Sequence, residues 1–304
     1  MLQRAVMPQT HAALELPAIP SLDRSHLRLE PCRAPSFSSV GALVPAAQPY
    51  LCADPNAPAL LMIPGLGVDG LSFIRQLPLG ALSSLYFLQT PNHGCEGERG
   101  LHAYARFAEE FILDHRLDQR PGGLVLGGAS MGGAVSLAVA IRGRVKLRGL
   151  VLIGTFGSAR HLPLFQRVLA PLAYVIPMGF FRKAVWLLAG RTGLRRCSRE
   201  EGEWMASPLV SRSLRYYGRA VMALTRQEQI EAAGKIAVPA LVLHGERDPV
   251  LPLAAGVELA ETLPRATLLK ITGAGHSPFF SHAPEVNAAI ARFLRELPQL
   301  ECGP

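Results

Sequence analysis

Between residues 59 and 271 the chain alternates short, continuous apolar runs with longer stretches whose apolar residues recur at helical spacing. The short runs predict strands at Ala59 to Ile63, Ser84 to Gln89, Gly123 to Gly127, Leu147 to Ile153, Ala240 to His244 and Thr267 to Ile271. The periodic stretches predict helices over His102 to His115, Met131 to Arg142, Leu253 to Leu263 and Pro284 to Leu297. In the last of these Pro284 suits the first turn, and Val286, Ile290, Phe293 and Leu294 mark one stripe. Strands that are apolar at consecutive positions are buried on both faces, and strands that alternate with helices run parallel. The fold class is therefore α/β, a mainly parallel central sheet flanked by helices.

Two segments break this rhythm. Residues 1–56 are rich in proline and hold no sustained period, so they are expected to form a leader with edge strands near His26 to Glu30 and Ser38 to Val44. Residues 156–234 separate two predicted strands by far more chain than a crossover needs. Helical patterns at His161 to Ile176, Gly179 to Ala189, Glu200 to Met205 and Pro208 to Ala223 make this interval a helical lid inserted into a core formed by 57–155 and 235–304. The lid is apolar enough, with Phe165, Phe180, Phe181 and Trp186, to wall an acyl pocket as well as to pack on the core. Its uncharged run from Val168 to Phe181 contains Pro171 and Pro177 and falls short of the roughly 20 apolar residues of a membrane span.

Candidate chemistry begins at Gly128-Ala129-Ser130-Met131-Gly132, directly behind the apolar run Leu124 to Leu126. A serine at the tip of a tight strand-to-helix turn needs small residues two positions to either side, and the helix amides behind it favour an anion there. Serine is a weak nucleophile unless a base takes its proton and an acid orients that base. Asp248 follows the strand Ala240 to His244, and His276 follows the strand Thr267 to Ile271, so both occupy the carboxyl ends of predicted strands, where open α/β sheets carry their sites. His93 and His244 are rival histidines, the latter read as a strand-end residue with a local hydrogen bond, and Glu246 is the rival acid.

With Ser130, Asp248 and His276 in this chain order, the chain resembles the α/β-hydrolase family from about Leu60 to Leu297. The resemblance is carried by Ile63-Pro64-Gly65-Leu66-Gly67, Pro91-Asn92-His93-Gly94, the Ser130 turn, His244-Gly245-Glu246-Arg247-Asp248 and Gly273-Ala274-Gly275-His276. It implies a Ser130–His276–Asp248 triad with an oxyanion hole from the backbone amides of Leu66 and Met131, and it makes His93 part of the pocket rim. Pro64 stands where the family often has histidine, which removes an amide other than the one required. The implied reaction is hydrolysis of carboxylic esters with an apolar acyl or alcohol part. Thioester hydrolysis and acyl transfer would use the same residues, a non-catalytic binding module would lack the triad, and a dehalogenase or epoxide hydrolase would carry aspartate in place of Ser130.

Composition adjusts this picture in three respects. The 304 residues are 49% hydrophobic, enough to bury a full core without a metal or disulfide, and the five cysteines show no metal-ligand spacing, so no cofactor or metal is expected. The formal net charge is +8, with Arg182, Arg191, Arg195, Arg196, Arg199, Arg212, Arg215 and Arg219 inside the lid. That charge suits contact with an anionic membrane surface or an acidic acyl carrier; no motif accompanies it that would point to nucleic acid. Residues 1–8 hold Arg4, but no apolar core follows, and a cytoplasmic location is expected.

Overall fold

The computed structural model describes residues 16–19, 24–31, 41–46, 48–89, 101–162, 220 and 222–298. Eight strands form one sheet: β1 Leu27–Pro31, β2 Gly41–Pro45, β3 Ala59–Ile63, β4 Ser84–Leu88, β5 Leu124–Ala129, β6 Gly149–Ile153, β7 Ala240–Gly245 and β8 Ala266–Ile271. Their spatial order is β1-β2-β4-β3-β5-β6-β7-β8. Strands β1 and β2 pair antiparallel, β2 pairs antiparallel with β4, and every later pairing is parallel. Both strands foreseen near the N-terminus are present, each displaced slightly toward the C-terminus, but only β1 lies at the sheet edge, since β2 is paired on both sides.

The continuous apolar runs of β3, β5, β6 and β7 are buried on both faces, whereas β8 at the sheet edge is mostly half-buried, and alternation divides the buried runs between two cores. From β3, Ala59, Leu61 and Ile63 enter one core while Leu60 and Met62 enter the other; from β7, Ala240 and Val242 oppose Leu241 and Leu243. Helices α1 Leu101–Asp114, α2 Met131–Arg142 and α3 Leu253–Thr262 cover the first face, through Phe107, Phe111, Val135 and Leu259 among others. Helix α4 Ala283–Glu296 and a 3₁₀ run, Gly70–Ala81, cover the second, through Val286, Ile290, Phe73 and Leu77. Each of these fully buried large side chains contributes about 1.5–3 kcal/mol relative to exposure.

The 3₁₀ run departs from the sequence expectation, which left Gly70 to Ala81 unassigned. Asp69 caps it by accepting from the Leu71 amide, and Pro78 inside it is incompatible with a regular α-helix, so the periodicity is broken although nearly every residue is buried. Strand β6 begins at Gly149 rather than Leu147. Arg148 stands just before it, its backbone amide already donating to Leu124 O of β5 and its guanidinium to the carbonyls of Gly122, Leu297 and Pro298.

Beyond β6, the two described ends of the segment that precedes β7 are tied to each other. Ser158 bridges Glu228, the Ala159 amide donates to Gln227, the Gln229 amide donates to Gly157, and the Gln227 side-chain amide donates to the Phe156 carbonyl at 2.7 Å. The helical stretches foreseen between these two ends, from Pro163 to Arg219, lie outside the described residues. Among the described residues, no helix is long and apolar enough to cross a membrane.

Candidate active site

Three strand ends converge. Strand β5 runs into Ser130, whose φ of 53° and ψ of −119° place a non-glycine residue in left-handed backbone space before α2 begins. Such a conformation costs about 1–3 kcal/mol and persists only where the surroundings enforce it. Here they do: the Ser130 amide donates to Ile153 O at 2.9 Å, and its carbonyl accepts from Thr155 Oγ1 at 2.7 Å and from the Ala134 amide at 3.2 Å. The turn closes only with glycine at both flanks. A methyl group on Gly128 would run into Gly132, and one on Gly132 would run into the carbonyls of Ile63 and Pro64.

That second contact also fixes the neighbouring loop. The turn from Pro64 to Gly67 is pressed against the first turn of α2, and a methyl on Gly65 would touch Ser130 Cβ at 3.5 Å. Leu66, at the crest of this turn, is half-buried, and Met131 is fully buried at the N-terminus of α2. The first amides of a helix have no acceptor within it, so this end of α2 presents donors beside Ser130.

Asp248 and His276 come from adjacent turns stitched backbone to backbone. The Glu246 amide donates to Ile271 O and the Arg247 amide to Ala274 O, at 3.1 and 2.9 Å. His276 Nδ1 lies 2.7 Å from Asp248 Oδ2, and Asp248 Oδ1 accepts from the amides of Val250 and Leu251 at 2.8 and 2.9 Å. The Asp248 side chain is entirely buried, whereas His276 keeps 12% exposure. Burial pushes the Asp248 carboxyl up, but the charge and hydrogen bond of His276, with the Leu251 and Val250 amides, outweigh it and hold the group below the usual carboxylate range.

The end of β6 links this pair to the serine. Gly154 follows the strand that holds the Ser130 amide, and a methyl on it would lie 3.0 Å from His276 O and 3.7 Å from both Asp248 Oδ2 and His276 Nδ1. The structure thus joins Asp248 to His276 directly and Ser130 to them through one strand terminus. No hydrogen bond connects Ser130 Oγ to His276 among the described residues. Because Nδ1 engages the carboxylate, Nε2 is the nitrogen left for chemistry.

The rival residues separate cleanly. Glu246 lies past the end of β7 and is exposed. His244 is fully buried, with Nε2 3.1 Å from Leu251 O, as the local-bond reading expected. His93 lies outside the described residues. A cleft of about 410 Å³ near Val145, Leu147, Lys235 and Val238 opens at the amino ends of β6 and β7, away from Ser130. It has no part in this constellation.

Some supporting residues had no signal in the sequence. Thr155 is one more residue after an apolar strand until its hydroxyl is found on Ser130 O. Gln76, Arg75 and Asn287, far apart in the chain, hold the segment after His276: Gln76 Nε2 donates to Phe279 O at 2.6 Å, Arg75 donates to Phe280 O and lies over the Phe280 ring, and Asn287 Nδ2 donates to Arg75 O. Only the tertiary fold reveals them.

Comparison with known proteins identifies the family. A model of the alpha/beta hydrolase family matches residues 60–289. The chain is 27% identical over 251 residues to the pimeloyl-(acyl-carrier protein) methyl ester esterase of Chromobacterium violaceum, covering 79% of this chain and 95% of that protein. It is 28% identical over 258 residues to the protein of the same name from Aromatoleum aromaticum, covering 79% and 99%. Among solved structures, a thermophilic esterase from Thermogutta terrifontis superposes with a TM-score of 0.70 at 20% identity, covering 89% of this chain and 98% of that one.

Proposed function

Because this chain belongs to the alpha/beta hydrolase family and is a carboxylic ester hydrolase, we propose that it works through an acyl-enzyme on Ser130, with His276 as base and Asp248 as the acid that orients it. The observation that carries this reading is the 2.7 Å bond between His276 Nδ1 and Asp248 Oδ2 beside the β6 terminus that also holds the strained Ser130 backbone. With Nδ1–H given to the carboxylate, His276 Nε2 takes the Ser130 proton as Oγ attacks the ester carbonyl. The resulting oxyanion is held by the amides of Leu66 and Met131, each worth about 3 kcal/mol in reactions of this type. His276 returns the proton to the departing alkoxide, then activates a water that releases the acid. Catalytic hydrogen bonds commonly close only around bound substrate, and the bond from Ser130 Oγ to His276 Nε2 is expected to form there.

The substrate reading follows from the relatives and the charge. Both relatives are named for a methyl ester whose acyl group is borne by an acyl carrier protein. The net charge of +8 and the arginines between residues 182 and 219 favour an acidic carrier of the same kind here. The segment 156–234, entering and leaving at the neck beyond β6, then serves as the lid over the acyl chain. The test has two stages. A fluorophosphonate should label the wild type and not Ser130→Ala, and p-nitrophenyl esters of increasing chain length should be turned over by the wild type alone. Methyl esters should then be cleaved faster on a carrier protein than free. Failure of both labelling and turnover overturns the triad; equal rates on free and carried esters overturn the carrier preference.

A further inference from the structure

The buried imidazole of His244 is unused by the chemistry described so far, although it lies against the proposed acid. It sits near the end of β7, a strand otherwise apolar from Ala240 to Leu243, and is fully buried. Its Nε2 is 3.1 Å from Leu251 O and 3.5 Å from Asp248 Oδ2. Both neighbours are acceptors, so Nε2 carries the proton. Nδ1 is buried and has no hydrogen-bond partner among the described residues, and Gly256 of α3 packs so closely that a methyl there would lie 2.6 Å from it. A buried ring nitrogen left without a partner is costly, a penalty an apolar side chain would avoid. Leu251 closes the circuit: its carbonyl receives the imidazole proton while its amide donates to Asp248 Oδ1.

We infer that His244 is a positioning residue that acts through Asp248: as a neutral Nε2–H donor shared between Leu251 O and Asp248 Oδ2, it fixes the rotation of the carboxylate so that Oδ2 meets His276. The inference rests on Asp248 being the triad acid. Oδ1 is already anchored by two amides, and a donor on the far side of Oδ2 leaves His276 a single direction of approach. Neutrality suits the role, because a charged imidazole there would compete with the charge that forms on His276. Burial holds His244 below its ordinary histidine range; Leu251 O and Asp248 oppose that shift and the charge of His276 adds to it. His161, from the neck beyond β6, is coupled to it through charge, and its own titration is likewise lowered, by burial first and then by Arg160.

Two substitutions and one spectrum test this. His244→Phe keeps a ring but no donor, whereas His244→Gln places an amide N–H near the position of Nε2. In His244→Phe, kcat should fall about tenfold with KM little changed. The acid limb of the kcat/KM profile should move up by about half a pH unit, since the carboxylate loses a donor that withdraws its charge. His244→Gln should restore both. If Phe performs as well as Gln and the limb stays in place, His244 is only core filling and the inference fails. In ¹⁵N spectra of histidine-labelled wild type at neutral pH, His244 should be the neutral Nε2–H tautomer; an Nδ1–H tautomer or an imidazolium overturns the inference whether or not the variants fold. The hydrogen-bonded Nδ1 proton of His276 should shift in His244→Phe and not in His244→Gln. These spectra need no turnover, so absence of ester hydrolysis would sink the proposed function while leaving this test intact.

Discussion

Glu109 and Asp248 each have a completely buried side chain, and the two are held in opposite ways. Glu109, on α1, meets Arg142 Nε at 2.7 Å and Arg144 Nη1 at 3.1 Å, so its charge is cancelled by permanent cations that staple α1 to the end of α2. Asp248 meets no permanent cation among the described residues; its hydrogen-bond partners are two backbone amides and the His276 imidazole, with His244 Nε2 a further 3.5 Å contact. A carboxylate already neutralised by arginine has little left to give when a positive charge appears beside it. One held by neutral donors stays anionic yet uncompensated, and is poised to stabilise the imidazolium that forms on His276 during acyl transfer. The same residue chemistry thus becomes a fastener in one place and a working group in the other.

The largest test of that contrast is to neutralise each carboxylate in turn. Asp248→Asn should lower kcat/KM for a p-nitrophenyl ester by about 10³–10⁴-fold, because the amide can present its NH₂ to Nδ1 and enforce the wrong tautomer. Glu109→Gln should leave kcat/KM per folded molecule within about twofold, since α1 and α2 meet far from the ester-binding end of Ser130. Comparable losses in the two variants would show that the distinction between fastener and working group is false.

Stability should reverse the ranking. Glu109→Gln leaves two guanidinium groups facing a neutral amide, and chemical denaturation should register a loss of about 1–3 kcal/mol, moderated because Arg142 and Arg144 remain partly in solvent. Asp248→Asn should cost less at neutral pH than Glu109→Gln if its site is built for chemistry rather than cohesion. Its contribution must also depend on pH. The folded carboxyl titrates below its ordinary value of 3.8, so the stabilisation is complete above that value and is lost as pH falls through the folded one. His244 adds an earlier step of the same sign: its folded titration lies below 6.5, so its contribution is full above 6.5 and fades as pH falls below it. A melting-temperature series from pH 7 to pH 3 should therefore decline more steeply for wild type than for Asp248→Asn at the acid end. Parallel curves would exclude the shift.

How much of this could be read from the chain depends on whether a feature is local. Strand β3 and helix α2 are found where hydrophobic periodicity places them, residue for residue, because each is a single uninterrupted pattern. The proposed site was legible for the same reason: Ser130, Asp248 and His276 each terminate a local strand pattern in a glycine-bearing turn. The 3₁₀ run Gly70–Ala81 was not legible, since Pro78 spoils its helical spacing and its burial comes from the distant partners Phe279 and Asn287. The Glu109 fastener was equally hidden. Nothing near Glu109 in the sequence announces that two arginines more than thirty residues away will reach it.

The finest distinction lies within the fastener itself. Arg142 retains 25% side-chain exposure and donates through Nε at 2.7 Å; Arg144 retains 45% and donates at 3.1 Å. The more exposed and longer contact is the more strongly screened by water and salt. In a double-mutant cycle with Glu109→Gln, Arg144→Met should show a coupling of about 0.2–1 kcal/mol that shrinks further at high salt. Arg142→Met should show a larger coupling that salt reduces less, because the Arg142 side chain is the less exposed and its contact the shorter. Equal couplings with equal salt dependence would mean that burial of the acid alone sets the strength of both contacts, and then the absence of a permanent cation at Asp248 would no longer explain why the two carboxylates behave differently.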